Sequence, residues 1–106
     1  MKNLKEETLN CLRKHGKAEK DVRWVGTKGR EIQIDVFWKE ADREYDDGYG
    51  GAEVNELLMV VGDDWWLERH EYDGAEWWEY KERPSRPLYT EVEDAIHLIF
   101  SDGFFW

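Results

Sequence analysis

The dipeptide Asp73-Gly74, with a pair of tryptophans on either side, indicates a β-hairpin with a two-residue turn. Both central residues of such a turn adopt positive φ, which aspartate and glycine tolerate better than most residues. The turn also fixes the register, because Tyr72 then faces Ala75 and the pairing steps back along both strands. The opposed pairs are predicted to be Arg69 with Trp78, His70 with Trp77, Glu68 with Glu79, and Leu67 with Tyr80.

Period-two alternation divides this hairpin into two faces. The first face is apolar at its base and is expected to pack on helices; it holds Trp65, Leu67, Arg69, Trp78 and Tyr80. The second face mixes aromatic and charged groups, which is not typical of a core; it holds Trp66, Glu68, His70, Tyr72, Trp77, Glu79 and Lys81. Two of the four tryptophans are therefore predicted to build the fold, and two to be available for recognition.

The N-terminal half is predicted to form a helix, a hairpin and a second helix. Asn3 and Glu6 make a capping-box pattern before the first helix, and Gly16 follows it as the expected C-terminal residue. Apolar residues that recur every four positions from Phe37 onward predict the second helix. The predicted bounds of the four elements are Leu4–His15, Val22–Val25, Glu31–Val36 and Val36–Asp46.

The C-terminal half is predicted to form a three-stranded meander and a third helix. Its strands are expected at Leu57–Val61, Asp64–Tyr72 and Ala75–Glu82, the first of them apolar enough to be buried on both faces. Thr90 and Glu93 make a second capping box, which predicts a helix that runs to Phe100. The order α-ββ-α-βββ-α over one domain of residues 1–106 indicates an α+β fold, in which a single antiparallel sheet packs with helices.

Charge narrows the range of partners. The chain has 25 acids against 15 bases and a formal net charge of −10. Such a field repels phosphate backbones, so direct binding of nucleic acid is disfavoured, whereas association with a basic protein is accelerated. No apolar run has the length of a membrane span, and the first residues are not typical of a signal peptide, so we expect a cytoplasmic protein without a membrane partner. The single cysteine, Cys11, excludes an internal disulfide framework.

The opposition of Glu68 and Glu79 calls for compensation, because like charges across a strand pair cost stability. Three sources are open: the diagonal Lys81, a basic group of a partner, or a metal ion held with His70. The metal is disfavoured by the lack of a cysteine pair and of an HExxH motif. Nothing marks a nucleophile, and the glycine-rich stretch 46–51 has aspartates and no base, so it is interpreted as a helix-exit loop. No catalytic residue, metal ligand or cofactor is assigned.

The segments VVGDDWWLERHEYDGAEWWEYKERP and ADREYDDGYGG resemble small proteins encoded by phages and prophages of gut Firmicutes. No activity is established for that family, so the resemblance carries over no catalytic residue. It implies a genomic setting in which small acidic proteins act by binding host proteins. Anti-CRISPR proteins that occupy a basic nucleic-acid channel are one class of this kind.

The resulting hypothesis is a non-enzymatic, phage- or prophage-encoded inhibitor of a host nucleic-acid-handling or defence protein, acting in the host cytoplasm. Its partner-binding residues are predicted to be Trp66, Glu68, His70, Glu71, Tyr72, Asp73, Glu76, Trp77 and Glu79. Two alternatives stay open. The tryptophans could stack on the base of a nucleotide in a small-ligand binder or sponge. The patch and the tail Phe104-Phe105-Trp106 could instead be buried in the assembly of a structural protein, which would make it an oligomer.

Overall fold

A computed structural model describes residues 1–46 and 51–101 and shows an α+β fold, which confirms the predicted class. The helices are α1 (Leu4–Lys14), α2 (Ile34–Ala41) and α3 (Ala95–Ile99), and a 3₁₀ turn spans Glu19–Asp21. The strands are β1 (Lys2–Asn3), β2 (Trp24–Thr27), β3 (Arg30–Ile32), β4 (Glu44–Tyr45), β5 (Met59–Val61), β6 (Trp65–Tyr72) and β7 (Ala75–Glu82). The tail 104–106 and most of the predicted glycine-rich loop lie outside the described residues.

Five strands form one antiparallel sheet in the order β3-β2-β5-β6-β7, so the predicted hairpin and meander join edge to edge. The register predicted for β6 and β7 is confirmed from Tyr72 opposite Ala75 to Leu67 opposite Tyr80. The turn has positive φ at both central residues, 52° at Asp73 and 87° at Gly74. A second sheet, which the sequence did not predict, pairs the two-residue strands β1 and β4.

The helices α1 and α2 cover one face of the sheet and build the core with it. Val25, Val60 and Leu67 lie on the three central strands and are fully buried, as is Leu12 of α1. Helix α1 is fixed to the hairpin by polar and aromatic contacts as well: the indole N–H of Trp78 donates to Thr8 Oγ1 at 2.9 Å. The predicted N-cap of α1 is confirmed, since the Asn3 side chain accepts the backbone N–H of Glu6.

Trp65 closes the core beside the β5–β6 turn. Its indole lies directly against Gly62, where an added Cβ would be only 2.1 Å from the ring. Because real Cβ atoms do not approach an aromatic ring so closely, glycine is required at this position for the tryptophan to pack. The predicted burial of Trp65 and Trp78 is confirmed by this arrangement.

The predicted boundary between β3 and α2 was wrong. Ile32, Ile34 and Val36 alternate like a strand, but the chain turns helical at Ile34. The residues that pack in the core are Phe37, Trp38 and Ala41, which with Ile34 follow the helical spacing i, i+3, i+4, i+7. Burial of that stripe on the sheet outweighs the short alternating pattern, and Val36 is left largely exposed.

Further predicted bounds were wrong. The strand β2 spans Trp24–Thr27 rather than Val22–Val25, and α2 ends at Ala41 rather than Asp46. The strand β5 begins at Met59 rather than Leu57, and Leu57 is exposed instead of buried. The third helix covers only Ala95–Ile99 and not the stretch from Thr90 to Phe100. It has no buried residue, so its apolar stripe gains no packing energy to extend it, and isolated helices of this length are marginal.

Among the described residues, no helix is long and apolar enough to cross a membrane.

Candidate functional site: the open face of the sheet

The open face is the face of the sheet opposite α1 and α2. It carries three tryptophans, Trp24, Trp66 and Trp77, which together are called the aromatic strip. The strand register aligns Trp24, Val61, Trp66 and Lys81 in one cross-strand row, and Gly26, Met59, Glu68 and Glu79 in the next. His70 and Trp77 form a third row, and Tyr72 lies beyond them at the turn, 76% exposed. The side chains of this face are half-buried or exposed, although they include three tryptophans.

Each glutamate of the opposed pair on this face is held by the tryptophan two residues before it. The indole N–H of Trp66 donates to Glu68 Oε1 at 2.7 Å, and that of Trp77 donates to Glu79 Oε2 at 3.0 Å. The acid Glu68 also has His70 Nε2 at 2.7 Å from its second oxygen. These contacts orient the indoles and the carboxylates together, so the aromatic and acidic groups form one surface.

The repulsion between Glu68 and Glu79 is offset by groups of the same chain. The Trp66 indole, followed by the His70 imidazole, lowers the pKa of Glu68. For Glu79 the Trp77 indole is the main cause of a lowered pKa, and Lys81 adds to it from 3.6 Å. Both carboxylates are therefore ionised at neutral pH. Of the three compensations considered from the sequence, the structure shows Lys81, joined by the indoles and His70.

Glu76 does not belong to the open face. It is only 3% exposed, on the helix-covered side of the hairpin, where Arg69 Nη2 donates to its Oε1 at 2.8 Å. Its two oxygens also accept the backbone N–H groups of Glu53 and Val54, at 2.6 and 3.1 Å. Arg69 in turn donates to Glu7 of α1 at 3.0 Å and to the Tyr45 hydroxyl. Glu76 is thus part of a buried network that connects the hairpin to α1 and to the loop before β5, and cannot contact a partner.

The same network determines the ionisation of Glu76. Burial is the largest influence and acts to raise the pKa of this carboxyl. The donors around it, the Glu53 and Val54 backbone and the Arg69 guanidinium, outweigh burial and leave the pKa below its ordinary value. Glu76 is accordingly a buried anion whose charge is matched by Arg69.

The remaining predicted residues lie at the hairpin end. Asp73 occupies the turn, and Glu71 is exposed but paired with Glu76, so it projects towards the helix-covered side. The structure therefore brings Trp66, Glu68, His70, Trp77 and Glu79 onto one continuous surface, and places Tyr72 and Asp73 at its tip. Glu71 and Glu76 lie on the opposite side of the hairpin, and both are excluded from this surface.

Sequence reasoning missed the contribution of β2 and β5. Trp24, which is 36% exposed, lies on β2, and Met59 lies on β5. The open face therefore continues beyond the hairpin onto these two strands. A cleft of about 460 Å³ opens beside them, between the β2–β3 turn and β6; its lining includes Lys28, Glu56, Leu57 and Glu68. The alternation of Trp24 with the buried Val25 could have indicated the outward direction of Trp24. The pairing of β2 with β5 is a non-local choice that alternation does not specify.

Within residues 1–46 and 51–101, no group of three or more His, Cys, Asp or Glu side chains is arranged to hold a metal ion. That holds for Glu68, His70 and Glu79. No protein-family model, curated protein or solved structure matches this chain.

Proposed function

We propose that this protein is a non-enzymatic binding protein whose open face docks on a basic protein surface. The observation that carries the proposal is the aromatic strip formed by Trp24, Trp66 and Trp77, which stays partly exposed on the open face while other tryptophans fill the core. Exposed apolar surface among polar groups marks interaction sites, and tryptophan is among the residues that contribute most to interface energies.

Charge supports a basic partner over other partners. The net charge of −10 steers positively charged surfaces towards the molecule. On the open face, Glu68 and Glu79 remain ionised and partly exposed beside the indoles that donate to them. An arginine or lysine of the partner can therefore contact a carboxylate and an aromatic ring at once, which combines an ion pair with a cation–π contact.

The kind of partner follows from the charge and from the resemblance to phage-encoded proteins. Channels that hold nucleic acid are one class of basic surface that an acidic, aromatic face would be attracted to. The proposed partner is therefore a host nucleic-acid-handling or defence protein, which this chain inhibits by covering its basic channel. The competing nucleotide-stacking hypothesis is less well supported, because the net charge of −10 repels the phosphate of a nucleotide.

The test compares two matched double variants in capture from host lysate. Trp66→Ala with Glu68→Lys removes an aromatic ring and an acid from β6 on the open face. Tyr89→Ala with Glu19→Lys makes the equivalent changes at exposed positions elsewhere. We expect the open-face variant to lose a protein that the wild type and the matched variant retain, with both variants folded by circular dichroism.

The captured protein is then purified and titrated at two salt concentrations. Weaker binding at higher salt and displacement by DNA or RNA are expected for a basic channel. Binding that is equal for both variants would eliminate the open face as the docking site. Binding that is insensitive to nucleic acid would contradict inhibition by channel occupancy.

A further inference from the structure

The outer edge of β7 is a second surface that the proposed function does not use. Strand order places β7 at the end of the sheet, and it runs for eight residues from Ala75 to Glu82. Among the described residues, no backbone group hydrogen-bonds to the side of β7 that faces away from β6. An edge strand of this length is a template for pairing with another strand.

The hydrogen-bond pattern identifies which residues of β7 point their backbone groups outward. The backbone N–H of Arg83 donates to Asp64 at 2.7 Å, in the register that pairs Glu82 with Trp65. In an antiparallel pair, alternate residues bond to the neighbour, so the odd-numbered positions of β7 bond to β6. The N–H and C=O groups of Trp78, Tyr80 and Glu82 therefore point away from the sheet.

Charge selects how a second copy of the strand can pair with this edge. In a two-fold antiparallel pair centred on Tyr80, Glu79 of each copy lies opposite Lys81 of the other, and Trp77 lies opposite Arg83. The outward groups of Tyr80 then pair with their own equivalents, and those of Trp78 pair with Glu82. Residues that lie opposite each other across the axis have their side chains on the same side of the combined sheet, as a continuous sheet requires.

The neighbouring registers lack this complementarity. A centre at residue 79 places Glu79 against its own copy, and a centre at 81 does the same for Lys81; like charges in direct opposition are destabilising. A centre at 78 leaves Lys81 opposite Ala75. The register centred on Tyr80 is the one among them that matches acid with base on both sides of the axis.

We propose that the protein forms a symmetric dimer through β7, in an antiparallel register centred on Tyr80. The interface is isologous, so each ion pair occurs twice. The two-fold axis runs perpendicular to the sheet, and both open faces therefore lie on the same side of one ten-stranded sheet. The dimer offers its partner a double-length aromatic and acidic surface.

Charge exchange at residues 79 and 81 tests this register by analytical ultracentrifugation at rising protein concentration. The wild type is expected to reach twice the 12.8 kDa of one chain. Glu79→Lys and Lys81→Glu should each raise the dissociation constant of the dimer about tenfold, because each creates two like-charge pairs across the axis. The double exchange restores acid opposite base and should recover the dimer.

Glu82→Pro is an independent variant that leaves the side-chain charges at 79 and 81 unchanged. Proline removes a backbone N–H that points outward, so the pairing with β6 should survive while the dimer weakens. A monomeric wild type overturns the proposal. So does a dimer that is unaffected by Glu79→Lys and Lys81→Glu, or that the double exchange does not rescue. Trp66 and Glu68 lie away from this edge, so the capture experiment reports on the open face whether or not the dimer forms.

Discussion

The two faces of the β6–β7 hairpin contain the same kinds of residue and use them in opposite ways. Trp78 and Glu76 on the helix-covered face are 7% and 3% exposed, and bind Thr8 and Arg69. Trp77 and Glu79 on the open face bind each other and remain partly exposed. Burial in this hairpin is therefore determined by strand parity and by what the helices cover, and residue type alone does not indicate which glutamate is structural.

The largest difference between the faces should appear on truncation of neighbouring tryptophans. Trp78→Ala is expected to lower the free energy of unfolding by about 3–5 kcal/mol, because it leaves a core cavity. Trp77→Ala should cost about 1 kcal/mol, since its ring is only partly buried. Urea denaturation of both variants measures the difference, and equal losses would show that the open face is covered in solution.

The glutamates give the next comparison. Glu76→Ala should destabilise the protein by about 3 kcal/mol, because Arg69 loses a buried partner and two backbone N–H groups lose their acceptor. Glu79→Ala should have a much smaller effect on the same urea midpoint, since solvent replaces its contacts. A small loss for Glu76→Ala would mean that the buried network contributes little net stability.

Acidification should also distinguish Glu76 from Glu79 by their contributions to the loss of stability at low pH. The folded-state pKa of Glu76 is lowered, so its contribution is present above the unfolded-state pKa of about 4.3 and is lost as pH falls through the folded value. Stability of the wild type should therefore fall as the pH drops below about 5. Glu76→Gln, measured by denaturation across this range, should reduce the fall more than Glu79→Gln. The reverse order would assign the acid sensitivity to the open face.

A smaller effect than the loss of Trp78 or Glu76 is expected on removal of the Thr8 hydroxyl from the buried face. Thr8→Val keeps the shape of a fully buried side chain but removes the acceptor of the Trp78 indole N–H and the donor to the Leu4 carbonyl. We expect a loss of about 1–2 kcal/mol, the cost of an unpaired buried donor. Thermal unfolding, with Thr8→Ser as the variant that retains the hydroxyl, separates this bond from the packing of the methyl group.

The hairpin was predictable from sequence because its information is local. A two-residue turn at Asp73-Gly74 and period-two alternation sufficed for the register and for both faces. The register also implied that Glu76 shares a face with Trp78, yet its acidic side chain suggested a surface position. The partner that makes its burial favourable, Arg69, lies on the same face, and a base seven residues from an acid on one hairpin face is a usable signal for such a pair.

Other parts depended on contacts that alternation and capping do not specify. The stretch from Ile32 to Ala41 carries both a strand and a helix pattern, and packing on the sheet selected the helix from Ile34. Around Thr90 the capping residues were present, but no core surface lies beneath the apolar stripe, and α3 is short. Trp24 belongs to the candidate site because β2 pairs with β5. These strands are far apart in the sequence, so local patterns did not predict their pairing.

The bonds of α1 to the hairpin have a consequence for synthesis of the chain on the ribosome. Glu7 and Thr8 bind Arg69 and Trp78, which follow them by 62 and 70 positions. The helix therefore emerges from the ribosome long before its partners exist, and its apolar side must wait for β7 to be translated. The fold can therefore be completed only after β7 has been synthesised, and a pause in translation before residue 78 prolongs the exposure of α1 to chaperones and proteases.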